Sequence, residues 1–240
     1  MTLVLHRGAE AVDFDALKAV ATPGPTASHI PLPHYQLVEM TRYALGFFGH
    51  EIAEETHAVT PDGLRYFGLM TLMSDHGLFT DTLGLRNSND KAFPIGLAYG
   101  AKCFVCDNLS FQGDFTIRRK HTANSKRELP GLVSELIEPL KLQRAAQART
   151  FLTYQQTHLT VQTADHLILE MYRGGILNIQ RVPEVMEAFD KPPHEEWGDH
   201  SAWTLFNATT AALEGRVVEN PSVTASLHKV IDGVCERVAA

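Results

Sequence analysis

With 240 residues, 44% of them hydrophobic and 20% charged, the chain can bury a substantial core and falls outside the disordered and fibrous classes. No apolar run approaches the ~18 residues of a membrane span, and the opening MTLVLHRGAEAVDFD turns acidic too early for a signal peptide; a cytoplasmic protein with no membrane partner is expected. Three cysteines supply no disulfide framework, and a net charge of −7 argues against a general nucleic-acid coat.

Residues 22–33, TPGPTASHIPLP, carry four prolines and no apolar period, so residues 1–33 read as an extended or flexible arm. HYQLVEMTRYALGFFG then repeats its apolar residues at helical spacing, with Pro33 at the start and Gly49 as terminator. EIAEETHAV and LRYFGLMTLM flank Thr60-Pro61-Asp62-Gly63, the pattern of a β-hairpin. TDTLGLRNSND predicts a third strand, after which Asn89 or Asp90 caps a short helix across AFPIGLAYG. KCFVCDN and FQGDFTIRRKH complete a mostly antiparallel sheet of about five strands.

From Leu129 the period becomes 3.6. Pro139 separates a short helix from KLQRAAQARTFLTYQQTHL, and ADHLILEMYR stops at Gly174-Gly175. Pro183 opens VPEVMEAF, Ser201 caps AWTLFNATTAALEG, and Asn220-Pro221 opens the last helix. The expected class is α+β: an arm over 1–33, a β-rich α+β core over 34–128, and a helical array packed on it over 129–240.

Local chemistry is sparse. Cys103-Phe-Val-Cys106 has the spacing of a redox pair or half a zinc site, but a strand sends residues three apart to opposite faces, and no second pair completes a cage. Twelve histidines form no helix-spaced metal set; Asp75-His76, His194-Glu195-Glu196 and Asp199-His200 are short polar loops. No G-x-S-x-G elbow, Walker loop or dinucleotide fingerprint occurs, so no catalytic residue, metal or cofactor is assigned.

Two polar blocks remain. Leu85-Arg86-Asn87-Ser88-Asn89-Asp90-Lys91 reads as a capped turn with a salt bridge, or as a site where Arg86, Asn87 and Ser88 converge on a phosphate or base. Arg118, Arg119 and Lys120, followed by Lys126 and Arg127, read as a solvated surface or as a phosphate track, with Phe104, Phe111 and Phe115 near enough in sequence to stack bases. From 118 to 149 eight Lys or Arg face three Glu, a net of +5, leaving −12 for the rest of the chain.

LGLRNSNDKAFPIGLAYGAKCFVCDNLSFQGDFTIRRKHT, with LRYFGLMTL before it and WTLFNATTAALEGR after it, resembles the phage- and plasmid-associated proteins grouped as domain of unknown function 932. The likeness runs from about Tyr35 to near the C-terminus, and Arg86, Asn87, Ser88, Asp90, Asn108 and Asn207 lie in its strongest blocks. It implies a mobile-element setting and transfers no catalytic role. The resulting expectation is a non-enzymatic nucleic-acid-binding accessory factor, acting as a single-strand binder or annealing factor and as a homo-oligomer. Its partners would be single-stranded or duplex DNA. The alternatives are a counter-defence factor that binds a host or phage protein, for which the acidic remainder would mimic nucleic acid, and a metal-dependent enzyme acting on nucleotides or nucleic acid.

Overall fold

The computed structural model describes residues 8–74, 77, 79–103, 109–213 and 222–239. It is an α+β protein with one antiparallel sheet of six strands in the order β1-β2-β3-β4-β5-β6. The strands are β1 (Glu10–Val12), β2 (Ile52–Val59), β3 (Arg65–Leu72), β4 (Phe79–Ser88), β5 (Ile95–Cys103) and β6 (Leu109–Arg119). The helices are α1 (Phe14–Ala19), α2 (His34–Phe47), α3 (Ser125–Ile137), α4 (Leu140–Gln156), α5 (Val161–Arg173), α6 (Val182–Asp190), α7 (Ala202–Leu213) and α8 (Ser222–Ala239). Among the described residues no helix is long and apolar enough to cross a membrane.

The chain divides into two compact units. The first comprises residues 1–75, 80–100 and 115–141; the second comprises 76–79, 101–114 and 142–240. Helix α3 belongs to the first unit, where it buries Leu129, Val133 and Ile137 in the core. That core also takes Leu37, Val38, Ala44 and Leu45 from α2, at the spacing that puts them on one helix face, with Tyr66, Met70, Leu83 and Tyr99 from the sheet.

The β2–β3 hairpin forms as its turn chemistry dictates. Asp62 accepts from the Thr60 hydroxyl (2.5 Å) and the Leu64 amide (3.0 Å), and Gly63 takes the left-handed backbone (φ 70°). Register pairs Tyr66 with Val59 and with Asn87. Gly68 is required here: a Cβ on it would sit 2.0 Å from the Tyr66 hydroxyl.

Two expectations change. AFPIGLAYG is no helix; Ile95–Cys103 is strand β5, and Asp90 accepts from the Ala92 amide (3.0 Å) to close a turn. Gly96 and Gly100 weaken a helix there, and bare Gly96 admits the Arg86 side chain, whose Nε lies 2.9 Å from where a Cβ would be. The arm is also more structured than composition suggests. Glu10–Val12 pair with Val59–His57 as a sixth strand, and Asp13 caps α1 through the Ala16 amide (2.7 Å).

In the second unit α7 is buried on every side except at Ala211, as befits a central helix. Ser201 accepts from the Thr204 amide (3.0 Å), the expected cap. The interior hydroxyls of Thr209 and Thr210 donate back to the Leu205 and Phe206 carbonyls, which lets polar residues sit in the core. Phe151 packs against Trp203 (5.0 Å) and Phe206 (5.5 Å), and Tyr154 donates to Asp232 (2.6 Å) beside His228. The opening of α8 at Asn220-Pro221 lies outside the described residues.

Candidate nucleic-acid interface

The polar block after β4 is an internal clamp. Asn87 is fully buried, and its amide donates to the Leu32 carbonyl (2.8 Å) and to His34 Nδ1 (2.9 Å). That bond leaves the proton of His34 on Nε2, which donates to the Gly63 carbonyl (3.0 Å); burial lowers the His34 pKa and favours this neutral form. Asn89 accepts from the Leu32 amide (3.1 Å) and donates to its carbonyl (3.2 Å). The proline-rich segment makes a turn closed between Thr26 and His29 and is tied down at Leu32.

Ser88 is likewise buried; its hydroxyl donates to Asp90 and accepts from the Ala92 amide (3.0 Å). Asp90 also pairs with Arg65 at 2.7 Å. Burial pushes the Asp90 carboxyl up, but the bonds from Ser88, Ala92 and Arg65 outweigh it and hold the group below its ordinary value. Asn87 and Ser88, expected at the nucleic-acid site, therefore present no side chain to a ligand outside. Arg86 is half-buried, with its guanidinium 5.3 Å from the Phe93 ring centre.

The basic stretch is different. Arg118 and Lys120 at the end of β6, and Lys126 and Arg127 in the first turn of α3, are all exposed. Among the described residues none of these four makes an ion pair. Arg119 points to a structural role: it pairs with Glu128 and reaches the Thr122 hydroxyl (3.4 Å), fastening β6 to α3. That bridge neutralises Glu128, the acid that directly follows the four cations in sequence. Of the aromatic residues expected beside the track, Phe104 lies outside the described residues.

Next to Lys120 lies a cleft of about 380 Å³, bounded by His29, Lys91, Phe93, Lys120, His121 and Thr122. Its two imidazoles lie with centres 4.9 Å apart and planes tilted by 45°. His29 Nε2 donates to the Asn89 carbonyl (3.0 Å), and the Ile30 amide donates to the His121 carbonyl (3.1 Å). His121 is 5% exposed, and both of its ring nitrogens are closed off from solvent. Burial, with His29 alongside, pushes its pKa down to about 4 even though the Ile30 backbone favours the proton, so the ring is neutral at pH 7. Lys91 and Lys120 stand exposed at the rim.

The remaining sequence candidates do not assemble. Among the described residues no three His, Cys, Asp or Glu converge on a metal position. His194 packs on Trp197 (5.4 Å) and His200 on Phe189 (5.1 Å), while Glu195, Glu196 and Asp199 are exposed. Asp75, His76, Cys106 and Asn108 lie outside the described residues. Asn207 is 1% exposed and donates to the Trp203 carbonyl (2.9 Å) within α7. Sequence reasoning missed His29, Lys91 and Phe93 as cleft residues; no local motif joins them, since hydrogen bonds between distant segments bring them together.

Fold and site define an α+β protein with four exposed cations that make no ion pair among the described residues. No family model, curated protein or solved structure matches the chain.

Proposed function

We infer that the protein is a non-enzymatic nucleic-acid-binding accessory factor whose phosphate contacts come from Arg118, Lys120, Lys126 and Arg127. One observation carries this reading: these four exposed cations lie within ten positions of one another with no acid between them in sequence, and the carboxylate that follows, Glu128, is already engaged by Arg119. Surface cations normally gain little from pairing, but a set left without acids is suited to displacing counterions from a polyphosphate. The resemblance to the phage- and plasmid-associated family supports a mobile-element setting for such a factor, acting as a homo-oligomer in the cytoplasm.

A titration of fluorescent single-stranded and duplex DNA at low and moderate salt tests it. The wild-type chain binds, salt weakens the binding, and changing the four residues to Ala weakens it and flattens its salt dependence. Salt-insensitive binding, or binding unaltered in the variant, overturns the reading.

A second reading, a protein partner of host or phage origin, draws on the exposed Leu169 and Tyr172 of α5, Ile179, and Met186 of α6. Loss of DNA binding altogether would promote it.

A further inference from the structure

We propose that the protein assembles with further copies of itself through a helix seam, in which α4 of one copy packs antiparallel on α5 of another. The proposal deepens the homo-oligomer of the functional reading and rests on that part of it alone; DNA binding plays no part in the seam.

Helix α4 is apolar on two sides. Leu140, Phe151 and Tyr154 are buried, while Leu142, Ala145, Arg149 and Leu152 recur three or four residues apart on the opposite face and are all exposed, Leu142 by 75% and Leu152 by 52%. Helix α5 repeats the arrangement. Ala164, Leu167, Ile168 and Met171 are buried, and Val161, Asp165, Leu169 and Tyr172 form an exposed stripe. All eight stripe residues belong to the second unit. An apolar stripe left in water, on a helix whose other face already fills a core, is the pattern of an interhelical seam.

Each stripe carries one charge, and the two are opposite. Arg149 sits between Ala145 and Leu152, and Asp165 between Val161 and Leu169; among the described residues neither makes an ion pair. At about 1.5 Å of rise per residue, Arg149 stands about 10 Å along its helix from Leu142, and Asp165 about 10 Å from Tyr172. Laid antiparallel with Arg149 opposite Asp165, the helices bring Leu142 to Tyr172, the small Ala145 to Leu169, and Leu152 beside Val161. A parallel arrangement centred on the same pair leaves Leu142 beyond the first residue of α5. A polar pair inside an apolar seam fixes such a register. The charges also choose the partner: α4 holds Lys141, Arg144 and Arg149 and no carboxylate, so α4 against α4 would oppose cations only. Like charges approach at the end of the seam, where Lys141 and Arg173 are both exposed and can extend into water.

The test is sedimentation velocity on the full chain without DNA, across a range of concentrations. The wild-type mass rises above the 26.6 kDa of a single chain. Arg149→Glu and Asp165→Arg each place like charges in the seam and move association to about tenfold higher concentration. Both positions are exposed, so the helical circular dichroism of each variant matches the wild type. A chain carrying both reversals regains association, and so does an equimolar mixture of the two single variants, because opposite charges then face each other across the seam again.

A single-chain mass at every concentration overturns the proposal and returns Leu169 and Tyr172 to a partner of another kind. Association unaltered by either reversal, or unrestored when the two are combined, overturns it equally. Oligothymidine binding in the same samples separates the two readings: a chain that assembles but binds no strand fails the nucleic-acid reading alone, and a chain that binds strands while remaining single fails the seam alone.

Discussion

Asn87 distinguishes a clamp from a ligand contact. Asn87→Ala removes two amide hydrogen bonds, at 2.8 Å to Leu32 and 2.9 Å to His34. The Leu32 carbonyl keeps its bond from Asn89, but His34 Nδ1 is stranded in a buried setting. One shared bond at about 1 kcal/mol and one stranded acceptor at about 2 kcal/mol give a loss of about 3 kcal/mol. Asn89→Ala strands the Leu32 amide and costs about 2 kcal/mol. In the double variant the Leu32 carbonyl loses both side-chain donors, so the joint loss exceeds the sum by about 1 kcal/mol. Urea unfolding of the three variants reads these values, and DNA affinity of the folded Asn87→Ala protein stays at the wild-type level. An Asn87→Ala protein as stable as wild type within about 0.5 kcal/mol, but deficient in DNA binding, would refute the clamp and make Asn87 a ligand contact.

Gly68→Ala should yield little or no folded protein by circular dichroism, because its Cβ meets the hydroxyl of a fully buried Tyr66 that is also bonded to His57 (2.9 Å). Burial lowers the His228 pKa from 6.5 to about 4, so as pH falls below 6.5 the unfolded chain takes up a proton that the folded one refuses. Stability present above that pH is lost progressively down to pH 4, by up to about 3 kcal/mol, and His228→Asn removes this share of a stability-versus-pH curve while leaving that of His121, which is lowered to about 4 as well. Glu55 acts lower: burial pushes it up, but hydrogen bonds from His57 and Arg42 prevail and hold it at about 2. Its contribution is intact above 4.5 and disappears as pH falls towards 2, and Arg42→Met lessens that dependence in acid titration followed by fluorescence, the His57 bond retaining the rest.

The hairpin and the Ser201 cap were legible because their signals are local: a turn residue and its partners lie within five positions. The same locality misled at Asp90, since a carboxylate that caps a helix and one that closes a turn accept the same amides. What decided for strand was tertiary: β4 offers an edge to β5, and Arg86 occupies the space over Gly96. Strand β1 has three residues and owes its place to Val59 and its neighbours, leaving no pattern of its own to read. In the candidate site, the basic track was readable as a contiguous run. Asn87 read as a surface group because its partner Leu32 is 55 positions away, and burial, unlike polarity, is not written in a short window. The His29–His121 pair was invisible for the same reason.

The salt dependence of single-stranded DNA binding tests the central claim most directly. Four phosphate contacts release counterions with a slope of log affinity against log salt of about −3. The account predicts a wild-type slope at least that steep, and a variant with Arg118, Lys120, Lys126 and Arg127 changed to Ala that loses about 3 of it. A variant with the wild-type slope and affinity, or a wild-type chain that binds no strand at low salt, would contradict it.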